Sequence, residues 1–188
     1  MLGNFTKKSY LHVSKEGKIV HKDENGVNVE YDFVEGELVR IAKRERMWEN
    51  NKILSVDMDL RDGKDIYCLN VNMSSGMTRG LLNSLCNIPD FAGKVIHFGA
   101  YVNRNGFLNA SVSIDGQPVK WKYPIEEVPK VEKFTRGSKE YTDDEKCIVW
   151  SEERIKEIQG RLSAGAEGDW QNGYAGPDGD MPEDDVFE

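Results

Sequence analysis

Long apolar runs are missing from this sequence. No stretch approaches the roughly 18 apolar residues of a membrane span, and residues 1–10 carry Lys7 and Lys8 but no apolar segment of the kind a secretory leader needs. Membrane insertion and secretion are unsupported, and the expected compartment is a cytoplasm. Cysteine is scarce. Cys68, Cys86 and Cys147 are odd in number and far apart, which argues against a disulfide framework and against the close cysteine pairs of structural zinc sites. His12, His21 and His97 are equally scattered, so no metal is expected. Catalytic signatures are absent too: there is no GxxxxGK[ST], no GxGxxG opening a helix, no HExxH and no GxSxG. Asp57 and Asp59 form a DxD pair with the chemistry to bind a cation, but a solvated strand face is the simpler account. An enzyme is the weakest class, and no cofactor is expected.

Positive charge is missing from the C-terminal end. Residues 163–188 include Glu167, Asp169, Asp178, Asp180, Glu183, Asp184, Asp185 and Glu188 with no Lys or Arg, a formal charge of −8, equal to that of the whole chain. A glycine-rich stretch with few large aliphatics and unopposed charge cannot bury enough surface to offset its ordering entropy, so disorder is expected. Such a tail often serves solubility alone. Here Met181, Val186 and Phe187 lie among the densest carboxylates, as in a short acidic-hydrophobic peptide that a partner binds.

What remains reads as strands. Val27, Val29, Tyr31 and Phe33 alternate with polar residues after Asn25-Gly26, a strong hairpin signal, and suggest an N-terminal meander. This meander either mediates homodimerisation or extends the main sheet. Residues 37–48 read as a long strand with Val39, Ile41 and Met47 on one face and Arg40, Arg44, Arg46 and Trp48 on the other. Lys43 points inward by strict alternation unless a bulge intervenes. A charged edge that blocks aggregation explains this strand as well as a ligand does. In the next hairpin a turn at Asp62-Gly63 pairs Met58 with Tyr67, Val56 with Leu69 and Leu54 with Val71.

Residues 74–88 switch to helical spacing, with Met77, Leu81, Leu82, Leu85 and Ile88 on one stripe and Ser74 or Ser75 as cap. A second hairpin pairs Val102 with Leu108, Ala100 with Ala110, Phe98 with Val112 and Ile96 with Ile114 around the loop Arg104-Asn105-Gly106. Its other face carries Tyr101 and Phe107 among small polar residues. They make either an ordinary cross-strand pair or, beside a cationic strand, a base-stacking platform. Residues 117–123 read as an extra strand in which Lys120, Trp121, Lys122 and Tyr123 interleave charge and rings. Residues 130–141 read as linker or long loop, and Ser151 caps a last helix; periodicity leaves residues 147–150 open between strand and helix.

Strands at 37–48, 52–61 and 64–73, a helix at 74–88, then strands at 94–103 and 107–114 give the element order of an OB-fold barrel, here with an N-terminal β extension, a C-terminal helix and a disordered acidic tail. With its glycine-rich spacer and acidic, aromatic-bearing tip, the chain resembles the single-stranded DNA-binding proteins of replication. Its Val186-Phe187-Glu188 ending looks more like phage-encoded members, although Glu188 after the aromatic departs from their pattern. The resemblance implies a non-catalytic protein of a bacterial or infected host cytoplasm. Such a protein coats single-stranded DNA in replication, recombination or repair and recruits a polymerase or helicase through its tail. It implies three regions: a nucleic-acid-binding domain at 1–125, a linker and helix at 126–162, and an interaction tail at 163–188. Expected DNA contacts are Arg40, Lys43, Arg44, Arg46, Trp48, Tyr101, Arg104, Phe107, Lys120, Trp121 and Lys122; expected partner contacts are Asp184, Asp185, Val186, Phe187 and Glu188. Residues 1–125 hold 17 basic and 15 acidic groups, a net of +2, so binding rests on local clustering. The alternative is a β-barrel interaction or virion assembly module whose tail binds a basic partner.

Overall fold

Period-two alternation returns an aliphatic side chain to the same face every second residue, and the stretch from Phe33 to Asn72 uses it to build the centre of the molecule. The computed structural model describes residues 8–49 and 51–165, with side chains as far as residue 162. The central stretch forms three successive antiparallel strands, β4 (Phe33–Trp48), β5 (Asn51–Asp62) and β6 (Asp65–Asn72). Ahead of them run β1 (Lys8–Val13), β2 (Ile19–Lys22) and β3 (Asn28–Tyr31). After them come helix α1 (Gly76–Leu85), strands β7 (Val95–Val102) and β8 (Leu108–Ile114) and the short β9 (Gln117–Pro118). One mixed sheet results, in the order β3-β2-β1-β6-β5-β4-β7-β8-β9.

Strand β4 serves two neighbours. Its first residues, Phe33 to Glu37, pair with β7, and Glu37 to Trp48 pair with β5. The ladder shifts between Leu38 and Arg40. This bulge sends Val39 and Arg40 outward together, so Leu38 and Ile41 are both buried while Val39 is 36% exposed. The expected inward Val39 is thereby corrected. The core gathers Leu38, Ile41, Met58, Leu69, Leu82 and Phe98 with others from the same faces.

The second hairpin has the expected register, from Ile96 with Ile114 to Val102 with Leu108. The first does not: Leu60 faces Tyr67, Met58 faces Leu69 and Val56 faces Val71, a slip of two residues from the expected pairing. Gly63, at φ 57°, occupies the first central position of a Gly63-Lys64 loop, the place a type II′ turn reserves for glycine. Because the slip is even, the same side chains still face the core. Ser75 caps α1, its hydroxyl accepting from the Thr78 amide at 3.0 Å.

The N-terminal meander extends the main sheet: β1 runs parallel to β6, and its Leu11, with Ile19 of β2, enters the core. The alternation from Val27 to Phe33 is broken into β3 and the start of β4, and Val27, Tyr31 and Phe33 are exposed. Only residues 117–118 of the expected last strand are strand. Where a linker was expected there is a separate two-stranded sheet, β10 (Glu132–Arg136) with β11 (Lys139–Asp143). Helix α2 (Glu145–Gly165) takes in residues 147–150 and lays Ile155 and Ile158 into the same core as the strands. Among the described residues no helix is long and apolar enough to cross a membrane. The three cysteines are free and buried, burial pushing the Cys86 thiol up to about 12.

Candidate nucleic-acid interface

The outward faces of β7 and β8 carry the rings. Tyr101 pairs with Asn109 and is 50% exposed; Phe107, just before β8, is 67% exposed. The loop between them is a self-bonded unit. The Asn103 amide donates to the Phe107 carbonyl at 2.9 Å, and the Asn103 side-chain oxygen accepts from the Asn105 and Phe107 amides. Gly106 sits at φ 80°, as the three-residue loop requires, and presents Arg104 at the tip. The loop thus holds Phe107 in place without burying it.

Two more rings share this face: His97, which the hairpin register puts there, and Phe33, which sequence reasoning missed. Phe33, opposite Gly99, stacks on His97 with centroids 4.2 Å apart, and the His97 Nδ1 lies 3.5 Å from the Glu35 carboxylate. Phe33 reads as part of the meander because its alternation continues from Tyr31; only the extension of β4 back to Phe33 puts it beside β7. Next to it an open depression lined by Lys18, Glu30, Tyr31 and Asp32 carries more acid than base.

Along the second half of β4, Arg40, Arg44, Arg46 and Trp48 point outward as expected, but an acidic stripe lies against them. Asp57 and Asp59 of β5 are buried, which corrects the expected solvated face. Arg40 reaches Asp59 at 3.4 Å, Lys8 of β1 reaches it at 3.0 Å, and Arg44 stands 3.7 Å from Asp57. Asn70 donates to Asp57 and to Ser55. The pair has the role of counter-ion to the cationic strand; among the described residues no group of His, Cys, Asp and Glu is placed to hold a metal. Burial, with Asp57 and Asp59 beside it, pushes the Cys68 thiol far up. Arg46 has no carboxylate partner among the described residues. Lys43 does point to the other face, where its ammonium meets Glu152 of α2 at 2.6 Å and its hydrogen bond holds that carboxyl below its usual range.

Residues 120–123 lie across α1. The fully buried Asn83 clamps them: its side-chain oxygen accepts from the Lys122 and Tyr123 amides at 3.0 and 2.8 Å, and its amide donates to the Tyr123 carbonyl. Trp121 lies over Gly80 of α1, where a Cβ would come within 3.3 Å of the ring. Lys122 is bound to Glu157, whose carboxylate also takes Tyr123 and Arg161. That hydrogen bond raises the Lys122 ammonium above its ordinary value. Burial pushes the Glu157 carboxyl up, and the bonds from Lys122 and Tyr123 outweigh it, so the net direction is down. Lys122 is accordingly a structural cation, whereas Lys120 has no carboxylate partner among the described residues and Trp121 is 46% exposed.

No protein-family model, curated protein or solved structure matches the chain. Geometry alone therefore sorts the expected residues. Tyr101, Phe107, Arg46 and Trp48 share the outward faces of the sheet with Arg104 on the β7–β8 loop, Arg40 and Arg44 lie there already paired, and Lys43 and Lys122 bind α2. Trp121 sits over α1, and Lys120 before it is exposed. The expected partner contacts Asp184, Asp185, Val186, Phe187 and Glu188 lie outside the described residues.

Proposed function

We propose that the chain is a non-catalytic single-stranded DNA-binding protein on an OB-type barrel, which coats and protects single strands during replication, recombination or repair. The barrel reading is supported by the order β6-β5-β4-β7-β8, by β4 being shared between two half-sheets, and by α1 lying between β6 and β7. In that fold the second and third strands and the loops after the first and fourth form the binding surface. The corresponding loops here are the β4–β5 turn, flanked by Arg46 and Trp48, and the β7–β8 loop, which holds Arg104 and Phe107.

The observation that carries the reading is the placement of Tyr101 and Phe107, half or more exposed on one face of the hairpin whose loop holds Arg104, a residue with no carboxylate partner among the described residues. Aromatic faces accept any base, and cations supply the phosphate attraction, which is what binding without sequence preference requires. Titration of oligo-dT against tryptophan fluorescence at several salt concentrations tests it. Quenching and an affinity that falls steeply with salt are expected; no binding at low salt refutes it. In the same proposal residues 184–188 recruit a polymerase or helicase, and removing residues 163–188 abolishes that recruitment in a pull-down while DNA binding persists.

A further inference from the structure

The ribbon β10–β11 stands apart from the barrel. Every residue of both strands is exposed, and it forms a sheet of its own. One face of it is ordered by charge. At the root Glu132 faces Asp143, in the middle Phe134 faces Tyr141, and at the tip Arg136 faces Lys139 across the Gly137-Ser138 turn. Like charges directly opposite one another destabilise a strand pair. The anionic pair at the root is relieved, because Lys146 of α2 meets Glu132 at 2.6 Å. The cationic pair is not: among the described residues neither Arg136 nor Lys139 has a carboxylate partner, and Lys133, on the opposite face, is already bound to Glu140 at 3.1 Å. The two rings stack with centroids 5.7 Å apart and remain 42% and 43% exposed, and the Arg136 guanidinium lies over Phe134 at 5.6 Å.

A two-stranded ribbon is marginal in water, so an uncompensated cationic tip on one is a cost that an external anion removes. We infer that this ribbon is a second nucleic-acid contact. Arg136 and Lys139 bind phosphates of a single strand that runs beyond the barrel face, and the exposed edges of Phe134 and Tyr141 border its bases. The inference rests on the single-strand reading and extends it to a surface outside the barrel. Charge complementarity selects a polyanion, and rings immediately behind the cations suit a nucleic acid better than a carboxylate-rich peptide. The other anion available is the chain's own acidic segment at 163–188.

The test uses the full chain, wild type and Arg136→Glu/Lys139→Glu, with the milder Arg136→Gln/Lys139→Gln as a check on folding. Each is titrated with a short oligo-dT of about 8 nucleotides, within the span of one barrel, and with a long one of about 30. Expected are near wild-type affinity for the short oligomer and an affinity for the long one reduced about 5- to 30-fold. The slope of log K against log salt should become shallower by about 1.4, for two phosphates at roughly 0.7 each. Equal binding of the long oligomer by wild type and both variants overturns the inference while leaving the barrel reading intact. Tighter binding by the variants also overturns it and assigns the ribbon to the acidic segment. Failure of the wild type to bind either oligomer overturns both.

Discussion

Replacing Asp59 and Asp57 by Asn should tighten binding to single-stranded DNA. The carboxylates lie under Lys8, Arg40 and Arg44, so they cancel charge that a phosphate would otherwise meet. A phosphate seated on those cations, one charged hydrogen bond beyond them, would stand about 7 Å from each carboxylate. Unit charges at that distance repel by roughly 0.6–1.2 kcal/mol for an effective dielectric between 80 and 40. Screening at 0.1 M salt about halves this. Each Asp→Asn change should thus raise affinity about 2- to 3-fold and the double change about 3- to 8-fold, with a salt slope steeper by about 0.7 for each cation released. The stability cost should be small. The Lys8 and Arg40 side chains are 33% and 52% exposed and regain water, and one oxygen of Asp59 is buried with no hydrogen-bond partner among the described residues, a penalty that the neutral amide lessens. Fluorescence titration across a salt series reads the affinity and urea unfolding reads the stability. Unchanged affinity and slope in a double variant that folds, with the wild type binding normally, would refute the placement of phosphates on this face.

Other outcomes follow from the same geometry. Tyr101→Ala and Phe107→Ala should each weaken oligo-dT binding by about 1–3 kcal/mol, the cost of a lost base stack, with the salt slope unchanged; a change in slope alone would count against stacking. Asn83→Ala strips the three side-chain bonds that hold residues 122–123 to α1, leaving the backbone bond from the Lys122 amide to the residue-83 carbonyl, and should lower unfolding free energy in urea by about 2–4 kcal/mol. A loss below about 0.5 kcal/mol would show that water replaces the clamp. The Glu157 carboxyl titrates below its ordinary 4.5 in the folded chain, so its stabilisation is present above that pH and is lost as pH falls through the folded value. Glu157→Gln should therefore flatten the acid limb of the stability curve and cost about 1–3 kcal/mol at neutral pH, both measured by denaturant unfolding at stepped pH.

Local signals carried much of the fold. Alternation with a glycine at the right offset located the β7–β8 hairpin to the residue, because a three-residue loop ending in Gly106 admits one register. The β5–β6 hairpin slipped because Asp62-Gly63 and Gly63-Lys64 are both acceptable turn centres and an even shift leaves the inward set unchanged; only packing of Leu60 opposite Leu38 and Tyr67 distinguishes them. The ribbon at 132–143 was not legible as strand, since both its faces are wet and no apolar alternation marks it. In the candidate site the types of residue were legible but their pairing was not. Nothing local in Arg40, Arg44 or Lys122 announces Asp59, Asp57 or Glu157, which are brought to them by strand pairing or by a helix far along the chain.

The meander has a role that its edge position conceals. β1 occupies the outer edge of β6, the strand that begins one end of the order β6-β5-β4-β7-β8. Yet the turn between β1 and β2 reaches the other half: a Cβ on Gly17, which is buried at φ 79°, would stand 2.8 Å from the Tyr101 Cα. Backbone therefore rests on backbone at the end of β7, a contact that only glycine permits. With Leu11 and Ile19 in the core, the meander touches the sheet at two places, pairing with β6 through β1 and meeting the end of β7 through the Gly17 turn. The exposed ring of Tyr101 is consequently mounted on a strand end held from both sides, by the hydrogen bonds of β8 and by the Gly17 turn. A backbone fixed in this way leaves only the side-chain rotamers of Tyr101 to be ordered on contact, which lowers the cost of stacking a base there.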